Sequence, residues 1–217
     1  MVYGVQTNGM ITENAYFFVD DETGHGFLID PGSQGEALFH LAKEKGWTIE
    51  AILLTHGHFD HIGGAEDFLS AVRREEGRSA SVYAHENAKK YLTDPYWNLS
   101  KGFGREIHLQ EPAVCVTYLK DGETVFLEEG KLGLQLIHTP GHTEDSCLWY
   151  SEEEAVCFVG DTIFEGGGYG NDRFPGGDGK VLFQSIRSRV LTLPQQVILY
   201  SGHSGPTSVG REKKYYE

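Results

Sequence analysis

A short apolar run that leads directly into a cluster of metal-binding residue types constrains this chain most. Residues 51–54 are apolar, and residues 56–61 then contain three histidines and one aspartate. An apolar run that stops at a polar turn is typical of a buried strand that ends at a site. Neutral imidazoles and ionised carboxylates are the usual ligands of zinc and similar divalent ions. The segment therefore predicts a metal site at a strand end rather than a histidine-rich surface loop.

The spacing inside this cluster suggests two neighbouring metal positions. Gly57 is expected to let the loop fold back, so that His56 and His58 converge on one position. Asp60 and His61 lie further round the loop and would face a second position.

Three further candidate ligands occur where an apolar run gives way to a polar turn. His142 follows the run 133–138, Asp161 follows 155–159, and His203 follows 197–200. If these runs are strands, both halves of the chain deliver ligands from rigid elements to one edge of the fold.

The pattern His56-x-His58-x-Asp60-His61, followed by two glycines and completed by the three later ligands, resembles the signature of the metallo-β-lactamase fold superfamily. The resemblance covers nearly the whole chain and implies an α+β fold, a four-layer αββα sandwich. It also implies two divalent metal ions with these ligands: His56, His58 and His142 for the first, Asp60, His61 and His203 for the second, and Asp161 bridging both.

The remaining sequence reads as strands alternating with helices, which predicts helices packed outside sheets in one domain, residues 1–217. The predicted strands are 15–19, 26–29, 51–54, 81–84, 125–127, 133–138, 147–150, 155–159 and 197–200. The predicted helices are 35–45, 65–76, 86–92 and 179–190. Residues 93–112 show no clear period, and we interpret them either as a functional lid or as core-covering structure.

A pair of cations held by His and Asp side chains predicts hydrolysis. Two such ions lower the pKa of a bridging water, so that hydroxide exists near neutral pH, and they polarise the substrate carbonyl. Asp60 is the expected catalytic residue, orienting the hydroxide or carrying a proton to the leaving group. Zinc is the first expectation for the metal, with iron or manganese as alternatives. The sequence contains no G-x-S-x-G elbow that would supply a protein nucleophile.

Within the superfamily, the runs 174–178 and 201–207 resemble the small glyoxalase II-like group. That resemblance implies hydrolysis of a thioester such as S-lactoylglutathione. The group's C-terminal helical extension is not expected in a chain with only fourteen residues after His203. Arg173, displaced from the group's usual position, and Lys101 are the candidate partners for an anionic substrate, although a solvated surface role fits each equally well. The alternatives are an iron-dependent persulfide dioxygenase and a lactone or other acyl hydrolase.

Charge and composition limit the classes of binding partner and the cellular locations that we expect for this chain. The net charge of −14 argues against nucleic-acid binding, which usually needs a basic patch, and disfavours an RNA-processing nuclease. No run approaches the ~20 apolar residues of a membrane helix, and the first residues lack the basic start of a signal peptide. Three widely spaced cysteines indicate no disulfide framework. We expect a cytoplasmic enzyme with a small-molecule substrate and leave its oligomeric state open.

Overall fold

Two six-stranded sheets form the middle of the molecule in the computed structural model, which describes residues 1–109 and 113–217. The first sheet contains, in spatial order, β1 (Val2–Asn8), β2 (Thr12–Val19), β3 (His25–Ile29), β4 (Thr48–Leu53), β5 (Ser81–His85) and β6 (Val116–Leu119). The second contains, in spatial order, β12 (Thr207–Ser208), β11 (Ile198–Ser201), β10 (Val156–Gly160), β9 (Cys147–Ser151), β8 (Gly133–His138) and β7 (Thr124–Phe126).

The helices are mostly short. They are α1 (Gly35–Glu44), α2 (Phe59–Ile62), α3 (Ala65–Glu76), α4 (Lys89–Thr93), α5 (Gly179–Ser185) and α6 (Val209–Glu212). Three 3₁₀ turns, at Glu86–Ala88, Ser100–Phe103 and Lys213–Tyr215, and a π-helical turn at Ile186–Val190 complete the regular structure of the described residues. Within the same ranges, no helix combines the length and apolar character needed to cross a membrane.

The side chains of β2 and β9 show why the sheets are covered on both faces. Successive side chains of a strand point to opposite faces. Phe17 accordingly packs with helix residues such as Phe68, whereas its neighbour Phe18 packs between the sheets. On β9, Trp149 also packs between the sheets, while Leu148 packs on the far side. This order of layers confirms the predicted αββα sandwich.

Parallel pairing brings the carboxyl ends of several strands to one edge. β3 and β4 are parallel, with Ile29 opposite Leu53, and β10 and β11 are parallel, with Gly160 opposite Ser201. The residues that directly follow these strands therefore meet at that edge. This topology brings the segment after β4 to the segments after β10 and β11.

Most predicted elements are present, with some changes at strand edges and helix ends. The hairpin β2–β3 and helix α3 form as expected. β1, β6 and β12 were not predicted, because all three are short or partly exposed strands that lack clean apolar alternation. The predicted helix 86–92 instead begins as a 3₁₀ turn and becomes α-helical at Lys89, and the predicted helix 179–190 changes to a π-helical turn at Ile186.

Candidate metal centre

Three imidazoles converge on the first predicted metal position. His58 Nδ1 lies 3.2 Å from His56 Nε2 and 3.0 Å from His142 Nε2. All three side chains are buried. Tetrahedral coordination with zinc–nitrogen bonds of about 2.05 Å places two ligand nitrogens roughly 3.3 Å apart. The observed separations therefore fit three nitrogens that could bind one ion.

The second predicted position is formed in the same way. The ligand atoms of Asp60, His61 and His203 all lie within 4.8 Å of one another. His203 Nε2 is 3.3 Å from Asp60 Oδ2 and 3.4 Å from His61 Nε2. One carboxylate and two imidazoles complete this group.

Asp161 lies between the two groups. Its Oδ2 is 3.6 Å from His142 Nε2 and 3.5 Å from His203 Nε2, and its Oδ1 is 3.4 Å from His61 Nε2. Oδ1 is also buried without a hydrogen-bond partner. A buried carboxylate oxygen that lacks a donor is costly unless a cation neutralises it. The placement of Asp161 fits a ligand that contacts both ions.

Each histidine that points its Nε2 into the centre has a partner for its other ring nitrogen. Nδ1 of His61 lies 3.0 Å from Asp30 Oδ2. Nδ1 of His142 lies 2.9 Å from the Asn171 carbonyl oxygen, and Nδ1 of His203 lies 2.9 Å from the Thr12 carbonyl oxygen. An acceptor at Nδ1 places the proton there and leaves Nε2 as a free lone pair, which is how metal-binding histidines are usually oriented.

The electrostatics of the centre also favour cations. Burial, and then the neighbouring imidazoles, lower the pKa of His56 and of His58, so both rings are neutral, the form in which imidazole binds a metal ion. Burial alone would lower the pKa of His61, but Asp161 and Asp30 outweigh it and raise that pKa well above the ordinary value. Carboxylates that stabilise an extra proton on an imidazole equally stabilise a bound metal ion.

Two glycines position the ligands by allowing close contacts. A Cβ atom at Gly57 would lie 2.4 Å from the Tyr91 Cβ, so the segment between His56 and His58 can pass Tyr91 only as glycine. The backbone of Gly57 is not left-handed, and close approach rather than an unusual turn is the reason for this glycine. A Cβ at Gly170 would lie 2.6 Å from His142 Nδ1.

A cavity of about 660 Å³ opens over the ligands. Its wall includes Asp60, His58, His142, Asp161 and His203. The segment 93–109 supplies a second part of this wall, through residues including Tyr96, Leu99 and Phe103. Buried Asn98 and Ser100 anchor the same segment, so it both lines the cavity and covers the core. Residues 110–112 of the predicted loop lie outside the described residues.

The structure separates the two candidate anion partners. Lys101 lines the cavity, whereas Arg173 is exposed and is not among the lining residues. The remaining histidine near the ligands, His138, stacks on His85 with ring centroids 3.8 Å apart, and neither belongs to the ligand cluster.

Sequence reasoning missed Asp30 and the two backbone acceptors. Asp30 directly follows β3, next to the end of β4, so its position at a parallel strand end was an available signal. The carbonyl groups of Thr12 and Asn171 carry no residue-specific signal, because every residue has one.

The donor set and its separations fit two divalent ions, and the comparisons with known proteins agree with that fit. The Metallo-beta-lactamase superfamily model matches residues 9–203. The chain belongs to the metallo-beta-lactamase superfamily, as its sequence resemblance predicted.

Similar proteins include one named as a probable metallo-hydrolase and one named as a hydroxyacylglutathione hydrolase. The chain is 38% identical to the probable metallo-hydrolase YqgX of Bacillus subtilis (strain 168), covering 94% of this chain and 91% of the relative. It is 29% identical to the hydroxyacylglutathione hydrolase GloC of Haemophilus influenzae, covering 93% and 90%.

Two solved structures share the fold over nearly their whole length. The BLEG-1 B3 metallo-beta-lactamase has a TM-score of 0.86 at 35% identity, covering 99% of this chain and 97% of that one. TTHA1623, solved in a di-iron-bound form, has a TM-score of 0.79 at 31% identity, covering 98% of both chains.

Proposed function

We propose that this protein is a dinuclear metal-dependent hydrolase that cleaves acyl thioesters. The observation that carries the proposal is the placement of Asp161 between two ligand groups at the floor of a substrate-sized cavity. The similarity to hydroxyacylglutathione hydrolase GloC supports a thioester rather than another acyl compound. The probable metallo-hydrolase YqgX supports hydrolysis in general.

The residues of the centre have distinct roles in this proposal. His56, His58 and His142 would hold one ion, Asp60, His61 and His203 the other, and Asp161 both. When bound, two divalent ions supply a water of lowered pKa and polarise the substrate carbonyl. We propose zinc for these ions, with iron or manganese as alternatives.

Asp60 is the proposed catalytic residue, in addition to its proposed role as a metal ligand. Its carboxylate lines the cavity and also contacts His203. Burial alone would raise the pKa of Asp60, but its contact with the His203 ring and the nearby His61 ring lower that pKa below the ordinary value. Asp60 is therefore ionised near neutral pH. It can orient the attacking water, accept the proton that this water loses, and then pass that proton to the leaving sulfur. Cleavage breaks the carbon–sulfur bond, forms a carbon–oxygen bond to water, and releases a carboxylic acid and a thiol.

The test is a hydrolysis screen with protein reconstituted with zinc, manganese or iron. The panel contains S-lactoylglutathione, simple acyl thioesters, lactones and β-lactams. We expect thioester turnover that is lost in Asp161→Ala and retained in Asp20→Asn, a control at a buried carboxylate on the far end of β2. Robust lactone or β-lactam cleavage without thioester turnover would instead assign the protein to another branch of acyl hydrolysis.

An iron-dependent persulfide dioxygenase is the second candidate. The di-iron form of TTHA1623, at 31% identity, supports iron as a metal for this type of centre. Oxygen consumption by the iron-loaded protein with a glutathione persulfide, in the absence of thioester turnover, would favour this candidate. Thioester turnover without any oxygen consumption would instead favour the hydrolase.

A further inference from the structure

The wall of the cavity outside the ligands is mainly apolar. Large apolar side chains of this wall include Phe59, Tyr96, Leu99, Phe103, Phe164 and Phe174. Polar recognition of a substrate needs convergent donors and acceptors, and outside the candidate ligands the described lining has few such side chains, namely Lys101, Asn171 and the hydroxyl group of Tyr96.

Several of these apolar side chains are exposed at the cavity mouth. Tyr96 is 57% exposed, Phe103 40% and Phe174 39%. A group of large apolar side chains that folding leaves exposed around a cavity commonly marks a ligand-binding surface. Phe103 packs against Phe59 with ring centroids 4.7 Å apart, which fixes one aromatic pair in this wall.

Leu99 is held in an unfavourable backbone conformation at the same wall. Its φ of 70° is left-handed, a region that leucine rarely adopts. Strain of this kind persists where the surrounding structure enforces it, and it is concentrated at functional sites. Here it places an aliphatic side chain in the lining of the cavity.

Charged partners for a glutathione-type substrate are scarce in this cavity. Lys101 is the single lysine or arginine among the described lining residues, and Arg173 is not among them. A glutathione conjugate carries two carboxylates and one ammonium group, so one lysine leaves most of its charge unpaired. Placing unpaired charges against an apolar wall is unfavourable.

From these observations we propose that the substrate is an uncharged apolar thioester, with a medium-length aliphatic or aromatic group beside the reacting bond. This inference rests on the proposed thioesterase function and names its substrate class. The apolar group packs against the part of the cavity wall formed by Tyr96, Leu99, Phe103 and Phe174. It belongs either to the acyl side or to the thiol side of the carbonyl, and the two are distinguished by experiment.

The first experiment measures kcat/KM over two substrate series with the zinc-loaded protein. One series joins acetyl, butanoyl, hexanoyl and octanoyl groups to one small neutral thiol, and the other joins an acetyl group to thiols of increasing length. We expect kcat/KM to rise at least about tenfold along one series, since each buried methylene adds binding energy. Flat values along both series, with turnover present, would overturn the apolar assignment and leave the thioesterase function intact.

Two variants locate the effect at the wall. Leu99→Gly removes the apolar side chain and also relieves the left-handed strain, so it should fold. Its control, Ala155→Gly, relieves the same kind of strain (φ 51°) in the turn before β10, away from the cavity. Phe103→Ala is paired with Phe126→Ala, a 69% exposed phenylalanine on β7. The wall variants should lose about tenfold in kcat/KM for the best long substrate and at most about twofold for the acetyl thioester. Equal losses in the control variants would overturn the assignment.

A binding measurement separates this inference from the proposed catalysis. Thioether analogues of the two series, which cannot be hydrolysed, are titrated into zinc-loaded protein by calorimetry. Affinity that increases with chain length and falls in Leu99→Gly would support the apolar substrate class. If the same protein hydrolysed no thioester, the proposed thioesterase function would be refuted and the apolar class would still stand. Affinity that does not change with chain length would overturn the inference.

Discussion

The contact between Asp30 and His61 gives a sharp prediction for metal affinity. Asp30 Oδ2 lies 3.0 Å from His61 Nδ1, and Oδ1 accepts a hydrogen bond of 2.8 Å from the Thr55 amide. In Asp30→Asn the remaining oxygen can keep the Thr55 amide bond, but the new NH₂ group can accept neither from His61 nor from the Thr55 hydroxyl group, from which Oδ2 also accepts in the native protein. His61 then loses its acceptor or moves its proton to Nε2, the atom that faces the second metal position.

The size of this effect follows from the lost hydrogen bond. A hydrogen bond to a buried charged group contributes about 1.5–3 kcal/mol, and each ~1.4 kcal/mol is a factor of ten in affinity. We therefore expect Asp30→Asn to weaken one of the two metal sites by about 10- to 100-fold, the range typical for lost partners of ligating histidines. The site of His56, His58 and His142 should lose less affinity, because its connection to Asp30 runs through the Thr55 hydroxyl group, which lies 3.2 Å from His56 Nδ1.

The assay is a zinc competition titration against a chromophoric chelator, which resolves two sites of different affinity. Asp20→Asn serves as the matched control, because Asp20 is also buried and accepts backbone hydrogen bonds, from Glu22 and Lys131, outside the ligand cluster. Circular dichroism of the metal-free proteins checks that both variants fold. Two unchanged affinities in folded Asp30→Asn would refute the assigned role of Asp30.

Three further predictions concern the packing around the centre. Gly170→Ala should abolish activity and lower zinc content, since its Cβ would lie 2.6 Å from His142 Nδ1. Gly102→Ala, at a glycine that lines the cavity but whose Cβ would meet no atom within 4 Å, should retain its zinc content in the same assay. Burial raises the pKa of Asp145 to about 7 from the ordinary 3.8, so the folded protein holds a proton that the unfolded chain releases between these values. The Asp145 carboxyl therefore lowers the free energy of unfolding as pH rises through this window. In urea unfolding of metal-free protein, the free energy of unfolding of Asp145→Asn should increase relative to that of wild type by up to about 1.4 kcal/mol per pH unit. A difference that does not depend on pH would contradict this. Glu212→Ala should lower the free energy of unfolding by about 3 kcal/mol in the same assay, because its buried carboxylate accepts from two backbone amides and one hydroxyl group; a loss under about 1 kcal/mol would contradict this.

Much of the fold could be predicted from the sequence because its buried strands carry strong apolar runs. β1 was not predicted because it lacks such an apolar run. Its side chains are mostly exposed, and it is held by backbone pairing with β2, from Val2 opposite Phe18 to Asn8 opposite Thr12. Backbone pairing leaves little trace in side-chain pattern, so edge strands of this kind are difficult to predict from one sequence.

That the seven candidate ligands come together could be predicted, because metal binding demands particular side chains and these occur at strand ends. The residues that orient them could not be found in the same way. Asp30 lies 31 positions before His61, and only the parallel pairing of β3 with β4 brings the two together. The apolar wall could not be predicted from the sequence either. Leu99 and Phe174 come from segments far apart in the chain and line one cavity only in the folded protein.

The most direct test of the account is the position of the metal ions themselves. Crystals of zinc-reconstituted protein would be measured at the zinc absorption edge, and an anomalous difference map calculated. We expect two peaks, one among His56, His58 and His142 and one bounded by His61 and His203, with Asp60 and Asp161 in contact. A map with no peak at this edge of the sandwich, or with zinc bound only elsewhere on the protein, would contradict the dinuclear centre and the function proposed from it.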